Sequence, residues 1–247
     1  MPITTIFFDL GSTLIHSLEA WPPIYRRADR ALGEALNRAG IMLDPALFSD
    51  EFTSFIGAYY TGRDQSTTER TAFAALKDML DGKGFSGIPD SSLRSALEAM
   101  YAITQTNWKA EEDAIPTLEA LKSRGYRLGM ISNTSDDQNV QQLVDRHGFR
   151  PYFEYIVTSA ALGIRKPDTR IFQVALDHFG VRPESVAMVG DTLTADIEGA
   201  NYLGIYSIWI TRRAEAPDPE FYQELPLPRA IVGALSEIPP LLEGLRA

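Results

Sequence analysis

The sequence predicts an α/β protein, a parallel sheet covered on both faces, with a separate helical unit inserted into it. Three observations lead there. Five short apolar runs each end at small or polar residues: TTIFFD (4–9), YRLGMIS (126–132), FEYIVTS (153–159), SVAMVGD (185–191) and YSIWITR (206–212). Helical periodicity fills most of the intervals between them. The alternation stops between residues 15 and 114, where no strand pattern is evident and the text is helical.

Continuous apolar strands alternating with helices belong to parallel sheets buried on both faces. IPTLEALKSRG (115–125) places Leu118 and Leu121 on one face and stops at Gly125. TRIFQVALDHFG (169–180) aligns Ile171, Phe172, Ala175, Leu176 and Phe179 and stops at Gly180. RAIVGAL (229–235) is a candidate sixth strand. Within the interruption, residues 24–40 carry the stripe Ile24, Ala28, Leu32, Ala35, Leu36 and Ala39. Residues 52–60 carry Phe52, Phe55, Ile56, Tyr59 and Tyr60, an aromatic stripe read as core of the helical unit rather than a ligand wall. Residues 68–80 and 93–103 complete four helices, with a loop over 81–90. Residues 214–228, rich in Pro and acidic residues, read as irregular surface.

Composition narrows the functions. The 247 residues are 45% hydrophobic and 23% charged, ordinary globular values. The absence of cysteine excludes disulfides, thiolate metal sites and cysteine nucleophiles. A formal net charge of −10 argues against a nucleic-acid partner. An anionic substrate would approach against that field, so a bound cation and local Lys or Arg would have to offset it. No signal peptide or membrane span is read, which predicts a cytoplasmic protein with no membrane partner.

Active sites of parallel α/β sheets form at the carboxyl ends of strands. Those ends carry Asp9, Ser132 and Asp191, and the loop after the third run carries Lys166. These are a candidate nucleophile, a hydroxyl, a metal-binding carboxylate and an ammonium. Asp196 follows Asp191 by five residues and could converge on the same cation. Taken singly, each of these residues is an ordinary cap or turn residue. At the ends of four parallel strands, in this order, they describe a site.

FFDLGSTL, MISNTS, GIRKPDTRIF and VGDTLTADIEGA together resemble, in order, the motifs of the haloacid dehalogenase-like hydrolase superfamily. The resemblance implies a Rossmann-like core, residues 1–15 and 115–247, with strand order 5-4-1-2-3. Residues 16–114 would form a helical cap. It implies a phosphatase acting on a small phosphorylated metabolite, with Asp9 attacking phosphorus to give an aspartyl-phosphate. Mg²⁺ would be held by Asp9, the backbone carbonyl of Gly11 and Asp191, with Asp196 binding through water or orienting Asp191. Ser132 and the Asn133 backbone N–H would bind the phosphoryl group, and Lys166 would neutralise charge.

One position departs from the pattern. Most phosphatases of the superfamily carry a second Asp, a general acid–base, where this chain has Gly11. Two alternatives follow: a metal-independent 2-haloacid dehalogenase, which also lacks that Asp, and a weak or inactive scaffold that binds a phosphorylated ligand. Asp191 has no use in a metal-free displacement at carbon. His16 sits where the chain leaves the first strand, at a hinge or at the edge of the site. His147 and His178 read as C-terminal helix residues, and Arg212 and Arg213 as surface.

Overall fold

The computed structural model describes residues 2–63, 66–215 and 226–245, without the side chains of 45–46 and 58–63. The buried apolar run before Asp9 forms β1 (Thr5–Phe8) at the centre of a six-stranded sheet. Parallel neighbours flank it on both sides. On one side lie β4 (Arg127–Ser132) and β5 (Tyr155–Thr158); on the other lie β6 (Val186–Gly190), β7 (Tyr206–Ile210) and β8 (Ala230–Val232). The five expected strands thus take the expected order, and β8, the candidate sixth, extends one edge.

The register fixes the site. Phe8 pairs with Met130 and with Val189, so Asp9 leaves the sheet beside the ends of β4 and β6. Two apolar clusters cover the two faces. One includes Ile6, Phe8, Leu118, Val140 and Ile208. The other sets Phe7 and Ile131 against Ile171, Phe172, Leu176 and Phe179 of α8 (Thr169–Phe179). Gly129 lies between Phe7 and Phe179, whose rings pack 5.5 Å apart; a Cβ there would come within 2.9 Å of each.

The helical unit has a core of its own. It comprises α1 (Trp21–Arg38), α2 (Pro45–Arg63), α3 (Ala72–Gly82) and α4 (Asp90–Thr104). Leu32, Leu36, Phe48, Phe52, Leu76 and Leu97 are buried among them. Phe55 and Ile56 pack on this cluster; the side chains of Tyr59 and Tyr60, expected on the same stripe, lie outside the described residues. Asp29 is 6% exposed on α1 and accepts a 2.6 Å hydrogen bond from the Thr53 hydroxyl. No described helix is long and apolar enough to cross a membrane.

Two expectations need correction. Residues 15–114 do contain strands: β2 (Ile15–Ser17) and β3 (Trp108–Ala110) pair antiparallel and join the insert to the sheet. Three residues each is too short for alternation to register in the sequence. Arg212 and Arg213 are not free surface. Arg212 bonds Asp113 at 2.7 and 2.8 Å and Glu111 at 2.9 Å, and Arg213 bonds Glu111 at 2.8 Å. His16, on β2, places Nδ1 3.0 Å from Glu111, so it belongs to this braced hinge.

The insert is fastened over the sheet end that carries the site. Arg94 donates to the buried Asp136 at 2.7 Å, and Ala72 N–H donates to Ser135 C=O at 2.8 Å. The Ser159 hydroxyl donates to Glu69 at 2.8 Å, and Arg165 N–H donates to Thr67 C=O at 2.9 Å. Residues 67–69 are occupied by this docking, so α3 begins at Ala72 rather than at 68.

Two stability measurements test this packing. Gly129→Ala should lower unfolding free energy by about 1–3 kcal/mol, because neither ring has room to retreat. Burial pushes the Asp29 carboxyl up to about 6, partly opposed by Thr53. A raised folded pKa makes the charged form a burden that is present above pH 6 and vanishes below the ordinary carboxylate range. Asp29→Asn should therefore stabilise the protein by about 1–3 kcal/mol at pH 8 and by little at pH 4, read by urea unfolding at both.

Candidate active site

The site is assembled on a buried ammonium. Lys166, 3% exposed, donates from Nζ to Asp9 Oδ1 at 2.7 Å, Ile131 C=O at 2.7 Å and Asp196 Oδ1 at 2.6 Å. Three donors meet three acceptors. Burial alone would lower the lysine pKa; the Asp196 and Asp9 charges outweigh it and hold it above the ordinary lysine value. Lys166 is therefore charged at any physiological pH.

The loop bearing Lys166 is clamped from two sides. Asn133, just beyond β4, donates from Nδ2 to Lys166 C=O at 3.0 Å and accepts from Lys166 N–H at 2.9 Å. On the other side is α9 (Glu198–Leu203), where a Cβ on Gly199 would lie 3.0 Å from Pro167 C=O and 2.4 Å from Phe172. Only glycine lets that helix approach so closely.

Asp196 is delivered by a π-helical turn, Leu193–Ile197, of a kind frequent at functional sites. It folds back beneath the end of β6, where a Cβ on Gly190 would lie 2.2 Å from its carboxyl group. That contact explains the glycine of VGD, which sequence reasoning had left unused. Asp196 Oδ2 accepts Thr192 N–H at 3.0 Å, so both oxygens are engaged. Asp196 thus anchors the lysine.

Asp191 is placed differently. Its backbone carbonyl accepts the Trp209 indole N–H at 2.8 Å. Its carboxylate has long contacts to hydroxyls, 3.3 Å to Thr13 and 3.4 Å to Thr192, and a hydrogen bond from its own backbone N–H. Ser12, at φ +57°, turns the chain so that buried Thr13 reaches it. Burial first, then the Asp9 and Asp196 charges, push Asp191 up to about 8, and burial pushes Asp9 up to about 6 despite Lys166. Three carboxylates thus face one ammonium.

Among the described residues no group of three or more His or acidic side chains is arranged to hold a metal ion. What the site offers is two carboxylates, Asp9 and Asp191, near enough that the Asp9 charge helps to raise Asp191. This suits Mg²⁺, which commonly takes one or two carboxylates and completes its shell with water and substrate phosphate. Ser132 ends β4, 5% exposed, on the same rim.

At Gly11 the backbone has ordinary negative φ. A Cβ there would meet only the Trp108 ring, at 3.6 Å. Trp108 also packs 4.9 Å from Trp21, which stacks on Tyr25. These rings line a cleft of about 590 Å³ between insert and sheet, along with Asp29, Thr53 and Asn133. Sequence reasoning missed Asp29, whose signal was an acid adjoining the apolar stripe of an amphipathic helix.

The chain is similar to several known proteins. A phosphoserine phosphatase of Thermus thermophilus is 36% identical over 139 residues, 56% of this chain, which there spans about half that protein's length (55%). A glyceraldehyde 3-phosphate phosphatase of Methanothermobacter thermautotrophicus is 28% identical over 97% of this chain and 100% of its own. An (S)-2-haloacid dehalogenase 4A of Burkholderia cepacia is 30% identical over 95% of this chain and 93% of its own. Among solved structures, a 2-haloacid dehalogenase of Pseudomonas syringae has a TM-score of 0.66 at 25% identity, covering 99% of this chain and 100% of that one. The sequence profile of haloacid dehalogenase-like hydrolases matches residues 3–204. With four motifs meeting at one sheet end and a profile spanning most of the sequence, the chain belongs to the haloacid dehalogenase-like hydrolase family.

Proposed function

We propose that this chain is a Mg²⁺-dependent phosphohydrolase acting on a small phosphorylated metabolite, with residues 16–114 as its cap. The observation that carries the reading is the second carboxylate, Asp191, close enough to Asp9 to feel its charge while Lys166 bonds Asp9 and Asp196. A displacement at carbon has no use for it, whereas a phosphoryl group brought in with a divalent ion does. The phosphatase relatives support the same substrate class.

Asp9 keeps one carboxylate oxygen tied to Lys166 and presents the other to phosphorus. Its attack forms an acyl phosphate as the bond from phosphorus to the substrate oxygen breaks, and that oxygen leaves as an alkoxide or phenoxide that takes its proton from water. Water then attacks that phosphorus, releasing inorganic phosphate and restoring the carboxylate. Lys166 holds the nucleophile in place and balances the charge on the transferring group. The Ser132 hydroxyl and Asn133 N–H donate to phosphoryl oxygens. Asp9 and Asp191, with the Gly11 carbonyl, would hold Mg²⁺, which when bound supplies charge neutralisation at the phosphoryl oxygens. The cap excludes water by docking through Arg94, Glu69 and Ala72.

Gly11 supplies no acid for the leaving oxygen, so esters with good leaving groups should be favoured. A second reading, haloacid dehalogenase, is favoured by the Burkholderia cepacia relative and by that same glycine. Release of chloride from a 2-haloacid in the presence of a chelator would establish it instead.

Turnover of p-nitrophenyl phosphate should require Mg²⁺, vanish with chelator and fall by roughly 10³-fold or more in Asp9→Asn. Saturable Mg²⁺ binding with no turnover of any ester would identify an inactive scaffold. Gly11→Asp should raise kcat on alkyl phosphates by about tenfold or more, with little change on the nitrophenyl ester. No gain in the stopped-flow or steady-state rate would show that another group already protonates the leaving oxygen.

A further inference from the structure

The cleft beside the site has a charge character of its own. It starts at Asn133, which is clamped to the Lys166 backbone, and runs beneath the insert. Its described walls contain no lysine, arginine or histidine. Their one carboxylate is Asp29, almost wholly buried, bonded by Thr53 and with no cation beside it among the described residues. Three aromatic rings line the way. Trp108 lies against Gly11, Trp21 packs 4.9 Å from Trp108, and Tyr25 stacks on Trp21 at 5.2 Å. Tyr25 and Asp29 are four residues apart on α1, hence neighbours on one helix face.

A buried carboxylate without a counter-ion is unfavourable unless a ligand brings one. Aromatic faces attract the same kind of group. A second anion in that space would meet Asp29 with no cation to offset it. We propose that the cleft selects phosphomonoesters whose organic group carries a cationic amine, held over the Trp21 and Trp108 rings and paired with Asp29, and that it rejects esters bearing a second anion. This substrate class rests on the phosphohydrolase reading.

Phenyl phosphates with para aminomethyl, hydroxymethyl or carboxymethyl groups test it, because the methylene keeps the three leaving groups nearly alike. With Mg²⁺, kcat/KM should fall in that order, the aminomethyl ester exceeding the carboxymethyl ester by about ten- to a hundredfold. In Asp29→Asn the aminomethyl-to-hydroxymethyl ratio should drop to within about threefold of one. Equal or reversed rates in the unaltered protein, or an unchanged ratio in the variant, would overturn the proposal. The order in the unaltered protein decides the matter even where the variant does not fold. Hydrolysis of all three esters without discrimination rejects the amine selection alone. Where none of the three is hydrolysed, the matching benzylphosphonates test the cleft by calorimetry, and only the absence of p-nitrophenyl phosphate turnover as well rejects the phosphohydrolase reading. Tighter binding of the aminomethyl compound supports it; equal binding, or none, overturns it.

Discussion

The buried ammonium of Lys166 is the constraint on which the rest of the site depends. Taking that charge out of water is unfavourable by several kcal/mol, and only well-placed acceptors repay it. The acceptors come from three separate segments: Asp9 beyond β1, Ile131 in β4 and Asp196 in the π-helical turn. Each segment is in turn held by a local device. Gly190 has no side chain where Asp196 folds back, Gly199 admits the approach of α9, and Asn133 bonds the lysine backbone twice. The motif glycines and the motif charges therefore describe one object.

That object leaves the protein with unequal carboxylates. Asp196 gives its two oxygens to Lys166 and Thr192 N–H, Asp9 gives one to Lys166, and Asp191 has long hydroxyl contacts and its own backbone N–H. The division of labour follows from geometry: Asp196 has both oxygens engaged, whereas Asp9 gives the lysine one oxygen and Asp191 meets hydroxyls at the end of its strand.

Much of this was legible in the sequence because the signals are local. A polar residue ending a buried strand marks a strand end, and parallel topology brings those ends together; Asp9, Ser132 and Asp191 were read that way, and Lys166 as the ammonium of the loop after the third run. The expected helices are present, with shifted starts where Trp21 and Pro45 open α1 and α2 early. What stayed hidden depends on contacts distant in the chain. The bond from Lys166 to Asp196 stayed hidden because nothing in TADIEGA announces a π-helical turn. Arg212 and Arg213 looked like surface because Glu111 and Asp113 lie about a hundred residues away. Strands β2 and β3 were invisible for their shortness, and Asp29 was masked by the apolar stripe beside it.

The pairing of β2 with β3 has a consequence for the history of such a chain. Ser17 stands opposite Trp108, so the insert leaves and re-enters the sheet domain at nearly one point in space. To the sheet domain the insert is a loop whose ends already meet. Closure entropy grows only logarithmically, about 0.6 kcal/mol for each doubling of length. Lengthening, shortening or exchanging that excursion therefore perturbs the folding equilibrium of the sheet very little. Ligand preference can drift with the excursion while the lysine-centred chemistry stays as it is.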